Sequence, residues 1–156
     1  KKFNIYLYFR FICIEIYGTI RNISQRIAFT EADMIRNGID IVDIKRIERS
    51  LESESFKARV YGADELKELE SKRYESYAGA FCAKEAFAKA LGTGVRGFSL
   101  CEVQVLHDKY GAPYFALSGK AQQIADEKGL EFSLSIAHTD TVATASVIAY
   151  GKEDRI

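Results

Sequence analysis

Four stretches of the sequence carry residue types whose spacing could do chemistry. Asp40 stands inside the apolar segment Gly38-Ile39-Asp40-Ile41-Val42, where the two-residue period of a strand puts it on the face opposite Ile39 and Ile41. A carboxylate so placed is either solvated on an outer face or a ligand for a cation, and pattern alone favours the first. In the run Phe81-Cys82-Ala83-Lys84-Glu85-Ala86-Phe87-Ala88-Lys89-Ala90-Leu91, helical spacing sets Glu85 at the border of the apolar stripe, one turn from Lys89. Taken alone, that is an i, i+4 ion pair of about 0.3–0.5 kcal/mol, common and without function. Gly92-Thr93-Gly94 supplies permissive backbone that could approach a phosphate, but it lacks the Gly-Lys-Ser/Thr ending of a P-loop and follows a helix instead of opening one. His138, beside Thr139, closes the strand-like Ser135-Ile136-Ala137, and a lone histidine is most often structural.

The elements that must position these residues follow from periodicity. Ile35, Ile39 and Ile41 mark a strand running into a helix signalled by Asp43, with Ile44, Ile47 and Leu51 on one face and Lys45, Arg46, Glu48 and Arg49 covering the rest. Helices are predicted from Asp64 to Ser71 and from about Tyr74 to Leu91, the second stopped by the glycines. Val103, Val105 and His107 read as a strand, Lys109-Tyr110-Gly111 as a turn, and Tyr114 to Leu117 as a strand after Pro113. Ser118 is expected to cap a helix through Lys128, and two closing strands, ending at His138 and running from Val142 to Tyr150, are near enough in sequence to form an antiparallel hairpin. Helices and strands mix without strict alternation, so the class is α+β with a small antiparallel sheet packed with helices.

Composition bounds the rest. With 156 residues, 47% hydrophobic and 28% charged, the chain supports one compact core. Lys plus Arg and Asp plus Glu each number 22, which gives no argument for a nucleic-acid partner. Three cysteines without CxxC spacing and two histidines fit reduced thiols in a cytoplasm, not a disulfide framework or zinc site. The aromatic run Phe3 to Ile20 is broken by Arg10 and Glu15, so it is not a membrane span. Met34, the sole methionine, precedes the first well-patterned strand. Residues 1 to 33 are therefore expected to be an N-terminal extension, 34 to 151 the domain, and 152 to 156 a tail.

Taken together, the four stretches resemble the 4′-phosphopantetheinyl transferase family, specifically bacterial holo-[acyl-carrier-protein] synthases. Gly38-Ile39-Asp40-Ile41-Val42-Asp43-Ile44-Lys45-Arg46-Ile47 is similar to the family's opening G-x-D-I/V-x-x-I/L-x-R-I/V, and AGAFCAKEAFAKALGTG, from Ala78 to Gly94, is similar to F-x-x-K-E-A-x-x-K-A-x-G-T-G. Gly111-Ala112-Pro113 resembles the G-x-P turn, and Ser135 to Thr139 the closing S-I/V/L-S/T-H motif. Ala80 departs from an arginine of that pattern and Ala137 from a hydroxyl residue; both bear on phosphate or nucleotide contacts and neither on the carboxylates.

The resemblance implies a single-copy transferase fold and a homotrimer with sites at its subunit interfaces. It implies transfer of 4′-phosphopantetheine from coenzyme A to a serine of an acyl carrier protein, leaving adenosine 3′,5′-bisphosphate, in support of fatty acid biosynthesis. Asp40 and Glu85 would hold Mg²⁺ with pyrophosphate and water, as that ion prefers. Lys89 would stabilise charge on the leaving phosphate, and Lys84 would be a second phosphate contact. Gly92, Thr93, Gly94, Pro113, His138 and Thr139 would surround coenzyme A. Arg46, with Lys45 and Arg49, would dock the acidic carrier protein. The proton acceptor for the serine is either a metal-bound water polarised by Asp40 or Glu85 itself. Two rivals stand beside this: a non-catalytic trimer binding nucleotide or metal on the same fold, and a transferase serving peptide or polyketide synthases, which the single Lys84-Glu85 signature disfavours.

Overall fold

A computed structural model of the chain describes residues 35 to 152; the expected extension and residues 153 to 156 of the expected tail lie outside the described residues. Strand β1 (Arg36–Asp43) leads directly into helix α1 (Ile44–Ser50), because the Asp43 carboxylate accepts from the Arg46 N–H at 3.0 Å and so satisfies an orphan donor of the first turn. Helix α2 (Glu54–Val60) is an element that periodicity did not predict. Its signal is the Ser53 cap, whose hydroxyl accepts from Phe56 N–H. Helix α3 (Ala63–Leu69) falls within a residue or two of its expected span.

Helix α4 (Tyr74–Leu91) is the central element of the described residues. Ala78, Ala80, Cys82, Ala83, Ala86, Phe87, Ala88, Ala90 and Leu91 are all buried, and they leave the helix in every direction, so it is covered nearly all round. Its small residues let neighbouring elements approach closely, while Phe87 fills the space beyond, meeting Phe98 and Phe115 edge to face and Phe132 at a tilt, with centroids 5.8, 5.2 and 4.5 Å away. Gly92 ends the helix with φ at 81°, a left-handed conformation that favours glycine.

After a short 3₁₀ turn (Leu100–Glu102) come β2 (Val103–His107), β3 (Pro113–Leu117), helix α5 (Gly119–Glu127), β4 (Leu130–His138) and β5 (Val142–Gly151). The strands make two antiparallel sheets instead of one: β1-β5-β4 and β2-β3. The expected closing hairpin is β4-β5, and β5 pairs on its other edge with β1, setting Asp40 beside Ala145 and Ile136 across from the same residue. Ser118 precedes α5 but makes no side-chain cap; the Glu102 carboxylate accepts from Ala121 N–H at 3.2 Å in its place.

Candidate functional site

Strand β1 is inverted relative to what its apolar residues alone would imply. Gly38 and Val42 face the core with Asp40 partly buried between them, while Ile39 and Ile41 are 61% and 67% exposed. The reason lies at Gly38. A Cβ there would stand 2.0 Å from the Ala86 carbonyl oxygen and 2.6 Å from the Ala90 nitrogen, so β1 crosses α4 backbone to backbone at this point. Glu85 and Lys89 immediately precede those two contact residues. Two residues on from Gly38, Asp40 therefore rises on the same strand face into the neighbourhood of both.

Lys89 is the link. Its ammonium donates to Asp40 Oδ1 at 2.9 Å and to the Ile39 carbonyl at 2.7 Å, with the lysine side chain 51% exposed and the aspartate 19%. The Asp40–Lys89 contact thus replaces the within-helix Glu85–Lys89 pairing expected from spacing. The Glu85 carboxyl lies above the usual carboxylate range, first because burial disfavours its charge and then because Asp40 adds a like charge; Lys89 and Arg46 pull the other way. Cys82, one turn earlier, is fully buried, and its thiol donates to the Ala143 carbonyl at 3.3 Å. Burial, with Asp40 as the second cause, pushes that thiol up to about 12, so it is an inert packing group under the aspartate.

Arg46, Lys45 and Arg49 lie exposed on α1, and Asp43 and Glu48 share their shallow surface. Arg46 is near enough to Glu85 to act on its charge, so the basic ridge of α1 borders the acidic pair. Gly92, Thr93 and Gly94 follow Lys89 by one turn, on an exposed or half-exposed loop. The Thr93 hydroxyl donates locally to the Gly94 carbonyl at 3.0 Å.

Lys84 requires a correction. As a phosphate contact it would need an accessible ammonium, but its side chain is 0% exposed and donates to Glu65 Oε2 at 2.7 Å, to the Leu100 carbonyl at 3.2 Å and to the Val103 carbonyl. Those three bonds use every donor it has. Glu65, equally buried, also accepts from Gly62 N–H at 3.1 Å and Val105 N–H at 3.0 Å. Burial pushes the Glu65 carboxyl up and the Lys84 ammonium down, and each partner's charge opposes that shift. Glu65 went unnoticed in the sequence because its only signal is an acidic residue in a helix's first turn.

Pro113 and His138 line a cleft of about 680 Å³ with Lys72, Gly79, Ala80, His107 and Ile136, and neither Asp40 nor Glu85 lines it. Here the Glu68 carboxylate meets His107 Nδ1 at 3.1 Å. The Thr139 hydroxyl accepts from Val142 N–H at 3.2 Å and Thr141 N–H at 3.3 Å, closing the β4-β5 turn. The candidate residues therefore fall into two separate sets within one chain.

Among the described residues, no three His, Cys, Asp or Glu side chains gather as a metal site, so a cation would rest on Asp40 and Glu85 alone. Two hard oxygen donors, one of them carrying a charge its surroundings disfavour, fit Mg²⁺ completed by phosphate and water. No helix among the described residues is long and apolar enough to cross a membrane.

Comparison with known proteins converges on one family. Residues 36–145 match the model of the 4′-phosphopantetheinyl transferase superfamily. A holo-[acyl-carrier-protein] synthase from a Thermoanaerobacter species is 43% identical over 120 residues, 74% of this chain and 87% of that protein. The crystal structure of the holo-[acyl-carrier-protein] synthase of Neisseria meningitidis superimposes with a TM-score of 0.69 at 36% identity, over 74% of this chain and 98% of the other. The corresponding synthase of Helicobacter pylori, solved in complex with coenzyme A, gives 0.65 at 32% identity, over 74% and 99%.

Proposed function

This chain belongs to the 4′-phosphopantetheinyl transferase superfamily, and from that premise we propose that it works as a holo-[acyl-carrier-protein] synthase. A serine hydroxyl of the apo acyl carrier protein attacks the β-phosphorus of coenzyme A. The new serine–phosphate bond forms as the bond to the adenosine 3′,5′-bisphosphate half breaks. The observation that carries this reading is the convergence of Asp40, Glu85 and Lys89, from two elements distant in sequence, on a patch bordered by Arg46.

Each residue has work in that scheme. Asp40 and Glu85 would hold Mg²⁺, which when bound neutralises the pyrophosphate and the charge growing on the leaving group. Lys89 is anchored by Asp40 and the Ile39 carbonyl and keeps a third N–H donor for that leaving phosphate. The serine's proton acceptor is either Glu85 itself or a water that Asp40 polarises. Arg46, with Lys45 and Arg49 behind it, docks the acidic carrier so that its serine arrives beside the acidic pair. Coenzyme A extends along Gly92, Thr93 and Gly94.

Self-association completes the site. Ile39 and Ile41 are exposed together with Ser133, Ser135 and Ala137 on one face of the β1-β5-β4 sheet, a low-charge surface suited to a second copy of this chain. Pro113 and His138 lie on a cleft apart from Asp40, as they would if a neighbouring subunit supplied that part of the coenzyme A pocket. A homotrimer is the assembly this reading adopts, in the cytoplasm, where Cys82 and Cys101 remain thiols.

The test is incubation with coenzyme A, Mg²⁺ and an apo acyl carrier protein, read by intact mass. The carrier gains the phosphopantetheine arm with the wild type and not with Glu85→Gln. Absence of the gain in the wild type would leave the non-catalytic trimer as the standing reading.

A further inference from the structure

The Glu65–Lys84 pair is the only fully buried ion pair among the described residues, and nothing in the proposed chemistry uses it. Its bonds reach the first turn of α3 through Glu65 and Gly62, the 3₁₀ segment through the Leu100 carbonyl, and β2 through Val103 and Val105. No polar atom of the pair is left over, since no buried side-chain nitrogen or oxygen among the described residues lacks a partner. Such a pair is weak evidence of stabilisation, because well-packed apolar residues in its place are often as stable or more so; its best-attested use is to fix register.

Register is what the acidic patch requires. Lys84 and Glu85 are successive residues, so their side chains leave α4 about 100° apart, and Lys84 and Lys89 about 140° apart. Gly38 holds the helix against β1 through the backbone of Ala86 and Ala90, a contact with no side chain of its own to resist rotation. A turn of the helix by about 20° would carry an atom roughly 5 Å from the axis through nearly 2 Å, enough to open the 2.9 Å Lys89–Asp40 contact. The pair grips α4 away from β1 by three directed bonds from one ammonium. Apolar contacts tolerate a small shift better than these bonds, which cannot lengthen by an ångström without breaking.

We propose that the Glu65–Lys84 pair is a positioning device that fixes the rotation of α4, and thereby holds Glu85 and Lys89 in register with Asp40. The kinetic part of this inference rests on the proposed function; the structural part does not. Glu65→Asp shortens the carboxylate arm while keeping its charge, and Glu65→Met/Lys84→Met removes both charges together.

The expected result for folded Glu65→Asp is a fall in kcat of about 10-fold or more, since a displacement of about 1 Å at a reacting centre costs up to 100-fold. KM for the carrier protein stays unchanged, because α1 is untouched. A crystal structure of the same variant should show Lys89 beyond hydrogen-bond distance from Asp40. The double variant should unfold within a few degrees of the wild type and share the loss of kcat. Wild-type kcat in either folded variant, or an unmoved Lys89–Asp40 contact in Glu65→Asp, overturns the proposal. If the double variant does not fold, Glu65→Asp alone decides. If the wild type transfers nothing to carrier protein, the proposed function fails, and the crystal structure still judges the positioning.

Discussion

Lys84 and Lys89 sit five residues apart on α4, and each meets a carboxylate, at 2.7 Å and 2.9 Å. Their surroundings separate them. Lys84 is sealed in the core with every donor spent on protein acceptors, whereas Lys89 is half exposed and shares its ammonium between a carboxylate and a strand carbonyl. The same functional groups therefore serve two ends: enclosed and saturated, they hold a helix in place, while open and unsaturated, they can meet a substrate. A motif in which Lys84 and Glu85 stand side by side hides this division, because neighbours in sequence leave a helix about 100° apart.

Substitutions in the two halves should differ in what they cost first, stability in the one and turnover in the other. Lys84→Met leaves the Glu65 carboxylate buried without its cation, so the largest effect expected is a loss of stability of about 3–5 kcal/mol, read by denaturant unfolding. Glu85→Gln should instead lower kcat by about 100-fold or more without loss of stability. The sign follows from its raised carboxyl: a folded value above the unfolded one means the ionised side chain is disfavoured in the native state. The variant should then be at least as stable as the wild type at pH 7, and that advantage should vanish as pH falls below the ordinary glutamate value of about 4.3. A drop in its melting temperature at pH 7 would contradict this account.

Gly38→Ala tests the hinge between the two halves. Its new methyl group would meet the Ala86 carbonyl at 2.0 Å, so β1 and α4 must separate. A cost of about 1–3 kcal/mol is expected, with a fall in kcat because Asp40 moves with the strand. Arg46→Glu should have the smallest effect, raising KM for the carrier protein about threefold while KM for coenzyme A stays constant, since exposed charge contacts contribute about 0.2–1 kcal/mol each. Equal KM values for the carrier would remove α1 as its docking ridge.

Much of the fold was legible in the chain. The helix-forming run from Tyr74 to Leu91, its glycine stop, the Asp43 cap and the closing hairpin all follow from local rules, and the structure bears them out. Helix α2 escaped because seven residues offer barely two turns of pattern, and the strands' division into two sheets escaped because pairing between distant strands leaves no periodic trace.

For the site, the sequence by itself determined which residues are candidates: Asp40 on a strand, Glu85 and Lys89 one turn apart on a helix, and Arg46 on the helix that follows Asp40. Only the tertiary structure decided their neighbours. It turned Asp40 toward α4 and Ile39 and Ile41 outward, gave Lys89 to Asp40 instead of Glu85, and withdrew Lys84 into the core with Glu65. Helical and strand periods fix which side chains share a face. Which face is buried depends on what packs against it, and here that was settled by a glycine small enough for a strand to lie directly on a helix backbone.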